Sequence, residues 1–156
     1  MAYFADLTPY TYNYGTEIML NVGWLGPGHP LPRGPVSMAF AHELEILAQS
    51  PVNRTRGQHI CPFCKPPLDV IEMDPKYRDV WEMFRACNTE IHVRGESGVI
   101  YCAPTLIVHY VTEHQYQPPA EYIAAVIFHR KSRPLIITPS DDQADPSLSS
   151  ERTTID

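Results

Sequence analysis

Proline constrains this chain more than any other residue type. Sixteen of the 156 residues are proline, and half of them fall in three runs: "GPGHPLPRGP" at residues 26–35, "KPP" at 65–67 and "QPP" at 117–119. Proline lacks a backbone N–H and fixes φ, so it cannot occupy the interior of a helix or of a central strand. The elements between the runs must therefore be short, and the spacing predicts a loop-rich domain. An apolar content of 44% is still enough for one core.

Charge excludes one broad class of partner. A net charge of −6 does not suit a fold that lies along phosphate backbones, which needs clustered Lys and Arg. The one dense basic run, "HRKSR" from His129 to Arg133, reads as the cationic end of a helix, where it complements the dipole. No Lys or Arg precedes Arg33, and no stretch approaches the ~20 apolar residues of a membrane span. The expectation is a cytoplasmic protein without membrane or nucleic-acid partners. In a reducing compartment its four cysteines are metal ligands or buried thiols rather than a disulfide frame.

Along the chain, residues 1–35 form an aromatic arm, in which Tyr3, Phe4, Tyr10, Tyr12, Tyr14 and Trp24 are expected to wrap the core. One strand-like run, "IMLNVGWL", covers Ile18 to Leu25. From Ser37 to Ser50, Phe40, Leu44 and Leu47 recur at helical spacing, with His42 and Glu43 toward the wetter side. "MDPKYRDVWEMFRAC" predicts a second helix, with Asp74 as N-cap and Pro75 at its first position. "TEIHVRGESGVIYC" alternates apolar and polar residues on either side of a glycine turn and reads as a hairpin. Pro104 is expected to open a buried helix of about three turns, and Pro119 the next, "AEYIAAVIFHRK", the two forming an antiparallel pair. From about Pro139 almost nothing apolar remains to offset the entropy of ordering.

The chemistry centres on "GQHICPFC", residues 57–64. A Cys-x-x-Cys turn points two sulfurs at one spot, and zinc asks for four N or S donors in a tetrahedron. His109 and His114, in "HYVTEH", are candidates for the second pair, although five helical steps rotate by about 140°. They meet at one metal only where the helix loosens near Glu113. His59 is the rival fourth ligand, and His92, Cys87 and Cys102 are weaker rivals. "CPFC" also resembles a glutaredoxin active-site tetrapeptide, but Pro66 and Pro67 interrupt the helix such a thiolate needs. Signatures of zinc peptidases, deaminases, serine hydrolases and phosphate loops are missing or mis-spaced.

The runs "YFADLTPYTY", "LNVGWL", "RGQHICPFC", "NTEIHVRGESGVIYCAPTLIVHYVTEHQYQPP" and "EYIAAV" together resemble a family of small bacterial proteins, a domain of unknown function. The resemblance covers most of residues 3–127. It implies fixed positions for His59, Cys61, Cys64, His109 and His114, so that metal ligands come from these five, with Cys87 and Cys102 left out.

The combined expectation is a small α+β domain over residues 1–136 with three to four short helices, a hairpin and a zinc-stapled proline-rich loop, followed by a disordered tail over 137–156. Cys61, Cys64, His109 and His114 are the expected ligands, His114 ahead of His59, and the zinc is structural. Two functional classes remain open. One is a non-enzymatic interaction protein with a protein partner, of the immunity type for example. The other is a metal-dependent enzyme in which His59, His92, Glu90 or Glu113 line an open zinc site, with thiol-redox chemistry ranked lower.

Overall fold

The computed structural model describes residues 3–12, 15–54, 61–64 and 88–132. Its elements are β1 (Met19–Asn21), α1 (Met38–Ala48), β2 (Glu90–Arg94), β3 (Ile100–Pro104), α2 (Ile107–His114) and α3 (Ala120–Ser132). The predicted helix after Asp74, the tail over 137–156, His59, Cys87 and Tyr14 all lie outside the described residues.

The three strands form one sheet in the order β1-β3-β2, with the hairpin β2/β3 antiparallel and β1 parallel to β3. The hairpin turns through Gly98 at φ 87°, and Val93 pairs with Tyr101 across it. Alternation then divides the sheet into two faces. Leu20, Ile91, Val93, Tyr101 and Ala103 turn inward to the main core, whereas Ile100 and Cys102 turn outward to a second cluster with Tyr10 and Trp24. The result is the expected mixed α+β fold.

Helix α1 starts where Ser37 caps it: the extended Ser37 places its Oγ to accept from the Phe40 N–H at 3.2 Å. Phe40 and Leu44 are fully buried, as their spacing predicts. Glu43 is not on a wet face as expected. Its side chain is 1% exposed, with Oε1 3.5 Å from His129 Nδ1. The cause is the position of α1, which packs against both α2 and α3, so that two of its sides are covered. For the same reason α2 and α3 do not form the expected antiparallel pair; each makes its main helical packing with α1.

Helix α2 begins three residues later than Pro104 suggests. Pro104 closes β3, and the Thr105 N–H still donates to the Thr89 carbonyl at 3.0 Å, prolonging the hairpin. In α3 Tyr122, Ala125 and Val126 are buried, and His129, Arg130 and Lys131 occupy the last turn. There they face the negative end of the helix dipole.

Besides β1, which pairs with β3, the aromatic arm is held by polar anchors. The Asn21 amide donates to the carbonyls of Thr8 and Pro9, and the Trp24 indole donates to the Cys102 carbonyl. Asp6 accepts from the Gly23 N–H at 2.8 Å and from the Tyr116 hydroxyl at 2.7 Å. Gly23 sits at φ 71°, and a Cβ there would lie 2.8 Å from Ile107 Cδ1, so both conformation and space require glycine. Tyr10 and Trp24 are buried as expected, but Tyr12 is 64% exposed, because its ring stands edge-on against Tyr10 above the outer face.

Candidate metal centre

Two distant stretches supply the donors. Residues 61–64 form a tight turn, with Cys61 buried and Cys64 half-buried. Helix α2 supplies His109 from its buried side and His114 from its final residue. After His114 the chain leaves the helix through Gln115, in the left-handed conformation at φ 56°, ψ 28°. The N–H groups of Gln115 and Tyr116 both turn back to the Tyr110 carbonyl.

The four donor atoms lie within 4.8 Å of one another. Cys64 Sγ is 3.1 Å from His109 Nε2 and 3.5 Å from His114 Nε2; Cys61 Sγ is 3.2 Å from His114 Nε2; the two Nε2 atoms are 3.2 Å apart. Zinc bonds of about 2.3 Å to sulfur and 2.0–2.1 Å to nitrogen make a tetrahedron with edges of roughly 3.4 Å between nitrogens and 3.6 Å between sulfur and nitrogen. These four separations fall slightly inside the corresponding edges. This Cys2His2 group can hold a metal ion.

Aromatic packing fixes the rings. Phe63, from the cysteine turn, lies 5.6 Å from the His114 ring and 5.8 Å from the Tyr110 ring, both edge-on. It thereby covers the apolar side of the cluster and ties the turn to α2. The Phe63 N–H also points at Cys61 Sγ, 3.4 Å away, where it favours the thiolate.

Electrostatics agree with a donor set for a dication. Burial pushes the Cys61 thiol up to about 12, against the backbone N–H of Phe63, and also raises Cys64. Burial, then repulsion from His114, lowers the His109 imidazole to about 4; burial and then Arg33 lower His114. Both rings are thus neutral, as metal ligation requires. Two thiolates and two neutral imidazoles exactly balance a divalent cation, so the loaded cluster carries no net charge into the core.

The remaining candidates are elsewhere. Cys102 is fully buried in the outer-face cluster with Tyr10, Trp24 and Ile100, a small hydrophobe as its strand position implies. His92 and Glu90 bond each other on β2 and stay outside the metal-type group, while Glu113 is exposed. Sequence reasoning missed Asn53 and Tyr10 as partners of Glu90. The i, i+2 spacing of Glu90 and His92 signals their shared face, but nothing local signals the other two.

Among the described residues no helix is long and apolar enough to cross a membrane. No curated protein and no solved structure matches the chain. The family comparison covers residues 2–127, which include every donor of the cluster, and on that match the chain belongs to the family described as domain of unknown function (DUF7919).

Proposed function

We propose that this chain is a cytoplasmic, non-enzymatic interaction protein whose fold is closed by a structural zinc ion on Cys61, Cys64, His109 and His114. The single observation that carries the reading is the convergence of two sulfurs and two Nε2 atoms, from segments at least 45 residues apart, to within 4.8 Å of one another. Zinc here ties the proline-rich loop to α2, and a metal that binds only the folded state adds its binding free energy to stability.

Four protein donors fill a tetrahedral ion, which leaves no position for water or substrate, and this favours a structural over a catalytic role. A thiol-redox role is disfavoured by the buried Cys61, whose raised pKa is opposite to that of an attacking thiolate. With catalysis set aside, the chain's net charge of −6 suits a basic protein partner, as for an immunity-type protein.

Elemental analysis of protein purified without added metal tests the site. One zinc per chain is expected, falling to background in Cys61→Ser and in His109→Ala; undiminished zinc in both variants rejects this ligand set. Co-purification of one stable protein partner at stoichiometric yield tests the interaction role, and turnover that depends on the zinc would reject it.

A further inference from the structure

Helix α3 keeps one face away from the core. Its Tyr122, Ala125 and Val126 are buried, whereas Glu121, Ala124, Phe128 and Lys131 are all exposed. Steps of three, four and three residues align these four side chains in one stripe along the helix. Phe128 stands 38% exposed on it. A single exposed ring is ordinary on a protein surface, but this one borders a groove of about 450 Å³ between α3 and the hairpin turn. Gly95, Glu96, Tyr101, Glu121 and Phe128 line that groove, and the small Ala124 and Ala125 give its helical wall little bulk.

The stripe is complementary to itself when one copy is turned end for end. Glu121 and Lys131 lie equally far from position 126, and so do Ala124 and Phe128. A two-fold axis beside that position, normal to α3, runs two copies antiparallel and brings each member of a pair toward its counterpart in the other copy. Phe128 of one copy then meets the small Ala124 of the second and the groove next to it, while Lys131 meets Glu121. Among the described residues neither Glu121 nor Lys131 has an ion-pair partner within its own chain. The helix dipole already favours acid at the start of α3 and base at its end. Antiparallel pairing makes that same arrangement attractive between chains. The other cations nearby in sequence do not upset it: Arg130 falls nine positions from Glu121, half a turn away from the stripe, and Arg94 lines the outer-face cavity, where Glu17 pairs with it.

We infer that α3 is the interface of a symmetric homodimer, in which two copies of this chain pack antiparallel through Glu121, Ala124, Phe128 and Lys131. Phe128 and Ala124 form the apolar centre of the contact and the charges form its rim, the usual anatomy of a protein interface. The surface is separate from the metal-type cluster, whose donors lie on α2 and the cysteine turn.

The test is sedimentation equilibrium of the full-length protein as purified, at up to about 500 μM chain and about 50 mM salt, where surface charges are weakly screened. A monomer–dimer equilibrium is expected for the parent. Phe128→Ala is expected to weaken it about a hundredfold, because each dimer buries two such rings. Glu121→Lys and Lys131→Glu each turn two attractive contacts into two repulsive ones, and each is expected to weaken self-association about tenfold. An equimolar mixture of these two variants is expected to recover a dimer of roughly parental affinity, since every Lys then meets a Glu across the interface. Recovery on mixing is an outcome that a damaged fold does not produce. A parent chain that stays monomeric over this range, a dimer that Phe128→Ala leaves within about twofold, or a mixture no tighter than its separate components would each overturn the proposal. A monomeric parent that co-purifies with a different protein, and loses it in Phe128→Ala, would assign the same face to that protein and overturn the homodimer as well.

Discussion

His109 and His114 bring their Nε2 atoms to 3.2 Å although they lie five residues apart on α2. Regular helix would separate the two side chains by about 140° around the axis. The rings close that angle at the last helical residue, with centroids 4.9 Å apart, and the two cysteines meet them from the side. A shared ion would bind these four donors together far more strongly than the packing of Phe63 against His114 and Tyr110 does. A chelator is therefore expected to lower the thermal midpoint of the parent protein by roughly 10 °C, since free metal at a thousandfold over Kd contributes about 4 kcal/mol. In His114→Ala the same chelator is expected to have no effect, while Glu113→Gln keeps the parent's response. Differential scanning fluorimetry with and without chelator reads all three.

Acid and alkali are expected to act differently on the metal-free and loaded forms. In the metal-free protein the Cys61 pKa is raised from 9.0 to about 12 by burial, so the folded state binds the extra proton, and that contribution is present below pH 9 and lost as pH rises toward 12. His109 is lowered from 6.5 to about 4, again by burial first, so its contribution is present above pH 6.5 and lost as pH falls toward 4. Zinc changes the sign for the thiols, because binding requires thiolates and expels their protons. About two protons should be released per zinc near pH 7, measurable by calorimetry in buffers of different ionisation enthalpy, and zinc should protect against alkali but not against acid.

Tyr116 and Asp6 join the two ends of the described chain. The buried Tyr116 hydroxyl donates to Asp6 Oδ2 at 2.7 Å across 110 positions, and burial followed by the Asp6 charge drives its phenol pKa far upward. Tyr116→Phe leaves the carboxylate with one donor fewer, and is expected to cost about 1–3 kcal/mol in urea unfolding with the slope unchanged. Asp6→Ala also releases the Gly23 N–H and should cost more than Tyr116→Phe. Equal stability of the parent and Tyr116→Phe would show that solvent replaces this bond.

What the sequence made legible was what short-range patterns encode. Phe40 and Leu44 at helical spacing, Ile91 and Val93 in alternation, and the glycine turn at Gly98 each specify an element by local chemistry, and each element is present. The Cys-x-x-Cys turn and the two histidines were legible for the same reason, since few chemistries use those types at that spacing. Tertiary partners were not. Glu43 looks like a solvated carboxylate until α3 is laid beside α1, and Tyr12 looks like a core aromatic until the arm's course leaves it outside. The convergence of Tyr10, Asn53 and His92 on Glu90 spans 80 positions and has no periodicity to betray it. Proline misled at one position: Pro104 resembles a helix start, but at the end of β3 it closes a strand, where the missing N–H is equally harmless.

Gln115 offers a way to stabilise the site without touching a donor. It is exposed, and it adopts φ 56°, ψ 28° to end α2 immediately after His114. Left-handed backbone costs a residue with a Cβ roughly 1–2 kcal/mol, and helices commonly place glycine at this point. Its N–H donates to the Tyr110 carbonyl and its own carbonyl accepts from the Gly34 N–H at 3.1 Å, bonds that glycine retains. Gln115→Gly is therefore expected to gain about 0.5–1 kcal/mol, the relief being reduced by the greater freedom of an unfolded glycine. Gln115→Ala, which keeps a Cβ, is the control and should not gain. Urea unfolding of the zinc-loaded forms separates the two, and the zinc content of Gln115→Gly should remain one per chain. A loss of stability in that variant would mean that the Gln115 side chain, rather than the backbone turn, holds the end of α2 in place.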